Sequence, residues 1–494
     1  MVAAAVDAVV VGSGPNGLAA AATLTAAGVK VLVIEGASAP GGGCRTAELT
    51  LPGFHHDVCS AVHPLALASP FFRRFDLAAR GVRMLQPPAA FAHPLDTGEA
   101  AVVSRSLEAT AAGLGSDGRS YLRLLGSPYR SGLAVADWVL SDERRLPREP
   151  LAVAAYGLAG LRPATSIARR FRTERARALI AGVAAHAMVP LGSSPTAGVA
   201  ILLTALAHRV GWPLVEGGSG RLTDSLVTAI RGGGGAVETG QRVRTLADLP
   251  QARAILLDVS PRALVEIAGS DLPAGYLRAL RRFRYGPGIC KVDFALDGAV
   301  PWTNPGCSEA GTLHLGGTLE EIAASEAEVS LGRHPDRPYV LAVQPGVVDP
   351  SRAPTGRHTL WAYCHVPGGS TVDMSDRITA QVERFAPGFR ERILATAVRT
   401  ATQQEEYDPN CVGGDIACGA QTLRQTFFRP VVRWSPHRTP RRGLYLCSSS
   451  TPPGPGVHGQ CGELAARAAL ADVFGVRSAP DIGPAGPLGA ASSP

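Results

Sequence analysis

The sequence predicts an α/β fold in which a Rossmann-like dinucleotide-binding domain is interleaved with a second, α+β domain containing an antiparallel sheet. Three observations predict it. The chain opens as β-α-β over about 30 residues: an apolar run from Asp7 to Val11, an Ala/Leu-rich helix from Pro15 to Ala27, and strand formers from Val29 to Ile34 ending at Glu35. The glycine cluster Gly12-Ser13-Gly14-Pro15-Asn16-Gly17 lies between the first strand and the helix. A second strand, glycine-rich turn and helix recur near the other end, from Gly443 to Ser448 and from Glu463 to Phe474.

Length and composition frame this reading. At 494 residues the chain exceeds the size at which one hydrophobic core stops growing, so two domains are expected. Hydrophobic residues make up 46% and charged residues 18%, and no apolar run approaches the ~18 to 20 residues of a membrane span. No transmembrane helix is therefore expected. Met1 to Ala8 carries no basic residue and runs straight into a strand pattern, which argues against a targeting segment and for a cytoplasmic location. The formal charge of +7 comes from scattered arginines without interleaved aromatics, which excludes a nucleic-acid partner. Nine cysteines form no CxxC pair, so no metal is expected and the thiols read as small apolar fillers. Of 48 basic residues only Lys30 and Lys291 are lysine.

From Pro70 to Val210 the pattern is mainly helical, around Ser120–Leu140, Leu151–Leu161, Thr173–Met188 and Ala197–His208. Gly217 to Arg231 is a glycine turn and a helix, followed by strands over Gln241–Leu246 and Ala254–Asp258 that rejoin the first sheet. Lys291–Leu296, Thr312–Gly316, Tyr339–Gln344 and Thr359–His365 are strands of an antiparallel sheet, with helices over Leu319–Leu331 and Asp376–Leu394. The predicted nucleotide-binding domain is 1–70, 211–285 and 410–477, and the second domain 71–210 and 286–409. Residues 478–494, rich in Pro, Gly, Ala and Ser, are expected to be a disordered tail.

The glycines have separate tasks in a dinucleotide site. Gly12 permits the tight turn, Gly14 lets a pyrophosphate approach the backbone, and Gly17 allows close packing of helix on strand, while Pro15 and Asn16 open the helix whose N-terminus receives the anion. Glu35 stands roughly 20 residues on at a strand end, where its carboxylate accepts ribose hydroxyls. Gly113 to Gly118 also matches GxGxxG but follows no strand, and is rejected.

A second cluster, Pro40-Gly41-Gly42-Gly43-Cys44-Arg45-Thr46, follows Glu35. Here the chain resembles the flavin superfamily of amine oxidases, phytoene desaturases and prolycopene isomerases, and among these the bacterial phytoene-dehydrogenase-related proteins. The resemblance covers nearly the whole chain, most closely at its two ends. It implies FAD, with Gly41, Gly42, Gly43 and Arg45 against the diphosphate and ribityl chain. Phe54 to Cys59 resembles the segment that crosses near the flavin ring, although Cys59 replaces the usual glycine. His55, His56 and His63 are a conceivable metal cluster that lacks a clear ligand set. Gly217 to Leu222 resembles the turn returning from the substrate domain, and Val243 matches a residue contacting adenine through its backbone. The segment from Leu444 to Gly462 resembles the part that caps the flavin, which implies that Gly456, Val457 and Gly462 lie at the cofactor. Lys291 matches the lysine that bridges through water to the flavin N5 in amine oxidases, and His458 and Cys461 are further catalytic candidates. Asp415 reads as a turn aspartate.

The function these expectations describe is an FAD-dependent oxidoreductase acting on a CH–CH or CH–NH bond of an apolar small molecule. The alternatives are a redox-neutral isomerase and a non-catalytic binding protein on the same fold. No second nucleotide motif is present, so electrons leave to a diffusible acceptor. The apolar helices between Leu151 and His208 are compatible with core packing, a lipophilic tunnel or a peripheral membrane contact.

Overall fold

The computed structural model describes residues 6–141 and 146–489. Its first sheet has five parallel strands in the order Leu444–Leu446, Ala254–Leu257, Ala8–Val11, Val31–Ile34, Ala236–Glu238. A parallel sheet covered on both faces needs continuous apolar strands, and all four residues of Ala8–Val11 are buried. Helices Pro15–Ala26, Gly220–Gly232 and Gln460–Ala469 cover one face with the core around Leu18, Leu226 and Ala466. Pro15 sits in the first helical turn, where its missing N–H costs nothing. The first and last of these helices pack backbone to backbone: a Cβ at Gly462 would lie 1.8 Å from the Asn16 carbonyl oxygen.

The second sheet has seven strands, in the order Ile393–Arg399, Gly288–Leu296, His358–Val366, Val340–Val343, Ala310–Leu315, Ala89–Pro94, Ala100–Ser104. All neighbours are antiparallel except Ala310–Leu315 with Ala89–Pro94. Side chains alternate between its faces. Cys290, Val292, Phe294 and Leu296 join one core with helix Ser375–Phe385, whereas Ile289, Trp361, Tyr363 and Leu341 face the layer of helices built from residues 118–209. That second face forms the floor of the site described below.

Several expected elements differ. Ala89–Pro94 and Ala100–Ser104 are strands inside the stretch read as helical; Ala89–Pro94 is alanine-rich and buried throughout, so it shows no two-residue alternation. The helix expected over Asp376–Leu394 ends at Phe385, before Pro387 and Gly388, and Ile393–Arg399 becomes an edge strand. The strand expected at Gln241–Leu246 lies earlier, at Ala236–Glu238. The disordered tail is corrected for residues 478–489. Ile482 and Leu488 are buried in the first domain's core, and Arg80 donates to the carbonyls of Ile482 and Leu488 at 3.1 and 3.2 Å. A few aliphatic side chains suffice to dock a segment whose overall composition is that of a linker. Residues 490–494 lie outside the described part. Among the described residues no helix is long and apolar enough to cross a membrane.

Candidate functional site

A cavity of about 1250 Å³ runs from the strand ends of the parallel sheet to the floor of the antiparallel sheet. At its first end the loop Gly12–Asn16 is folded onto Glu35. The Glu35 carboxylate accepts the backbone N–H of Ser13 at 2.8 Å and its hydroxyl at 2.6 Å through Oε2, and the N–H of Ala37 at 2.8 Å through Oε1. Gly12 has φ +95°, and a Cβ there would meet the Asp258 carbonyl oxygen at 2.8 Å, so only glycine fits. The second glycine cluster lies directly against this loop, because a Cβ on Gly42 would be 2.9 Å from the Gly14 Cα. Arg45 donates to the Pro40 carbonyl at 3.2 Å, lies 3.6 Å from Glu35 Oε1 and stacks over Tyr407.

The two ends of the chain meet at Asn16. Its Nδ2 donates to Ser449 Oγ at 3.1 Å, while its Oδ1 is buried without a hydrogen-bond partner. Of the predicted cofactor-binding residues, Gly12, Gly14, Pro15, Asn16, Glu35, Gly42, Gly43, Arg45, Val243, Gly456 and Val457 line the cavity. Gly17, Gly41 and Gly462 do not. Gly41 bonds back to the Ser13 carbonyl at 3.0 Å, and Gly17 and Gly462 serve close packing. The Gly217–Leu222 turn also packs away from the cavity, with the Ser219 N–H on Asp57 at 2.7 Å. His55, His56 and His63 have separate partners in Glu48, Thr50 and Ser219. Asp415 accepts three backbone N–H groups, from Gly286, Ala417 and Gly419.

Two catalytic candidates are corrected. His458 is fully buried; its Nδ1 accepts the Gln460 N–H at 3.0 Å, so Nε2 carries the proton and donates to the Gly454 carbonyl at 3.1 Å. Both nitrogens are consumed by the turn, and burial lowers the ring to about 4. Cys461 is buried in the first turn of its helix, its S–H directed at the carbonyls of Thr451 and Gly454, and burial pushes its thiol up to about 12. Neither lines the cavity, so neither faces a substrate.

Lys291 is 1% exposed on an interior strand of the antiparallel sheet. Its ammonium pairs with Asp293 and lies 5.5 Å from the Trp361 ring centroid. Burial lowers its pKa and the Asp293 charge opposes that. Lys291 is not itself a lining residue, whereas its neighbours Cys59 and Trp361 are. Asp293 in turn approaches His56, with Nδ1 to Oδ1 at 3.5 Å.

Asp258 is a site residue that the motif reading missed. It ends strand Ala254–Leu257 as Glu35 ends Val31–Ile34, and that shared position after an apolar run was the available signal. Its Oδ2 accepts the Gly17 N–H at 2.8 Å. Burial, with smaller contributions from Asp408 and Glu35, raises its pKa to about 7 against the pull of the Gly17 bond.

Beyond the loops the cavity opens into a chamber walled by Leu140, Met188, Leu202, Leu341, Val343 and Trp361. Helices Pro150–Gly160 and Thr196–Arg209 cross above it at two glycines: a Cβ on Gly160 would be 3.0 Å from the Gly198 Cα.

Comparison with known proteins agrees with this architecture. Residues 10–75 match the model of an NAD(P)-binding Rossmann-like domain. Pyridine nucleotide-disulfide oxidoreductase domain-containing protein 2 of Rattus norvegicus is 25% identical over 552 residues, covering 94% of each chain. The 4,4'-diapolycopen-4-al dehydrogenase of Metabacillus indicus is 30% identical over 130 residues, 25% of this chain and 26% of that one. A triple mutant of putrescine oxidase superposes with a TM-score of 0.61 at 18% identity, covering 96% of this chain and 99% of that one. The fold is thus a mixed α/β, flavin-oxidase-like one with a Rossmann-like nucleotide-binding domain and an antiparallel sheet.

Proposed function

We propose that the protein is an FAD-dependent oxidoreductase, similar to the phytoene-dehydrogenase-related proteins, that dehydrogenates a CH–CH or CH–NH bond of a largely apolar small molecule. Residues 1–70, 211–285 and 410–477 form its FAD-binding domain, and 71–210 and 286–409 its substrate domain. The carrying observation is the continuity of one cavity from the Gly12–Glu35 loops to an apolar chamber.

The residues present fit the cofactor. Two glycine clusters stand within backbone contact of each other, and the helix opening at Pro15 offers its N-terminus to a diphosphate. Asn16 Oδ1, buried and unpartnered, is an acceptor placed for a ligand donor. Glu35 holds the loop, Arg45 stands beside it, and Val243, Gly456 and Val457 complete the wall. FAD, when bound, supplies the electron chemistry, accepting two electrons from the substrate. The protein binds and orients the substrate, excludes water with its apolar wall and holds the Lys291 charge near the floor.

The match to a dehydrogenase of diapolycopenal over a quarter of the chain supports an apolar substrate. Electrons pass to a diffusible acceptor, and the protein acts in the cytoplasm. Purification tests the reading: the protein is expected to be yellow, with flavin absorption bleached anaerobically by a lipophilic substrate. A colourless protein that takes up no added FAD overturns it. A flavin that turns a substrate over without bleaching indicates instead the redox-neutral isomerase.

A further inference from the structure

An imidazole stands among the apolar walls of the chamber. His186 follows helix Glu174–Ala184, lines the cavity and is partly exposed to it. Its Nε2 lies 3.0 Å from Nε2 of His314, which is fully buried on strand Ala310–Leu315. The pair is built into the packing. Gly182 leaves room for it, since a Cβ there would lie 2.8 Å from both the His314 Cβ and the His93 Nδ1, and Phe91, Trp212 and Tyr339 surround the rings.

The partners of the buried ring nitrogens determine what the pair presents to the chamber. His93 Nε2 meets the Gly317 carbonyl at 2.7 Å, so its proton is on Nε2 and its unpartnered Nδ1 is a bare lone pair. His314 Nδ1 is also buried and without a partner. Burying an unpaired N–H is costlier and rarer than burying an unpaired acceptor. His314 therefore keeps its proton on Nε2 and donates it to His186 Nε2. His186 must then carry its own proton on Nδ1, which makes no protein hydrogen bond among the described residues. Burial, with the charge of His365 adding, lowers His186 to about 3, so the ring is neutral. A neutral N–H in an apolar chamber satisfies a carbonyl oxygen but cannot offset the cost of burying a carboxylate's charge.

We propose that His186 Nδ1–H, its tautomer and orientation set by His314, is the donor that seats a carbonyl oxygen of an otherwise apolar substrate in this chamber. The proposal rests on the reading of the chamber as the substrate site. It makes lipophilic ketones and aldehydes the favoured class over hydrocarbons of the same length. His186 touches the substrate, and His314 is a positioning residue.

The test uses nonan-2-one and nonane as probes of the purified holoprotein, read by quenching of tryptophan fluorescence, since Trp138, Trp212 and Trp361 line the cavity. The ketone is expected to bind about tenfold more tightly than the alkane, the upper range for one hydrogen bond to a neutral group. His186→Leu is expected to abolish that preference while leaving nonane binding unchanged, which also shows that the variant is folded. A ketone preference that persists in His186→Leu, or one absent from the wild type, overturns the inference. So does failure of both probes to bind. Flavin uptake by the same preparations is an independent readout: a colourless protein that takes up no added FAD yet retains a His186-dependent ketone preference refutes the oxidoreductase reading and supports this one.

Discussion

Asp258 Oδ2 accepts the backbone N–H of Gly17 at 2.8 Å, which brings a carboxyl group to the loop that the sequence marks for a diphosphate. A Cβ on Gly14 would lie 2.9 Å from the same oxygen. The arrangement joins the ends of the adjacent strands Ala8–Val11 and Ala254–Leu257 of the Rossmann-like domain, and its charge state determines whether the loop repels or tolerates an anion.

With its folded pKa near 7, raised from an ordinary 3.8 chiefly by burial, Asp258 binds more protons in the folded than in the unfolded state between those two values. Its contribution to stability is therefore full below about pH 4 and is lost as pH rises towards 7, on the order of a few kcal/mol. Asp258→Asn keeps an acceptor for Gly17 and removes the titration. The variant is expected to match the wild type at pH 4 to 5 and to exceed it in melting temperature and flavin retention at pH 8. Parallel stability curves for the two proteins across that range would refute this.

Gly462 admits the closest backbone approach between the two terminal segments. Gly462→Ala places a methyl 1.8 Å from the Asn16 carbonyl oxygen and 2.9 Å from the Ala20 nitrogen, neither of which is a flexible side-chain end. Relief requires separating the two helices, at about 1 to 3 kcal/mol. Because Asn16 moves with its helix, flavin content should fall together with the melting temperature. A fully flavinated Gly462→Ala protein of unchanged stability would show that the helices slide without effect on the site.

The docked segment from 478 to 489 gives the opposite expectation from its composition. Truncation after residue 477 uncovers the core sites of Ile482 and Leu488 and strips two carbonyl acceptors from Arg80. Ile482→Ala alone should cost about 2 to 4 kcal/mol, as for other buried aliphatic truncations. The melting temperature of Ile482→Ala measures this directly, and a change within error would return the segment to the status of a loose tail.

What was legible in the sequence was local. The strand, glycine loop and helix from Ala8 to Ala26 declare themselves in one window, because each glycine answers a steric demand made by its immediate neighbours. Glu35 follows from the same frame. Asp258 and the His186–His314 pair were not legible, because each depends on segments that only the folded sheets bring together. His458 and Cys461 misled for the converse reason: reactive residue types in a segment whose resemblance implies a place beside flavin, they are spent on holding that segment's backbone. The buried alanine-rich strand Ala89–Pro94 lacks the periodicity that would distinguish it from a helix.

Lys291 tests whether the floor of the chamber contributes charge as well as shape. Lys291→Met leaves Asp293 buried without its ion-pair partner, with only a 3.5 Å approach to His56 and the weaker pull of Arg399, and should lose about 3 to 5 kcal/mol of stability. A stability loss alone says nothing about catalysis, so the informative variant is Lys291→Met combined with Asp293→Leu, which removes both charges and should recover most of that loss. Lys291→Arg should not substitute, because the planar guanidinium is larger than the buried space the ammonium occupies. If the ammonium supports flavin chemistry through the wall formed by Cys59 and Trp361, the double variant keeps its flavin yet is reduced or reoxidised about tenfold more slowly. Rapid-reaction traces of both half-reactions measure this, and wild-type rates in a stable, flavinated double variant would leave Lys291 and Asp293 as a structural ion pair.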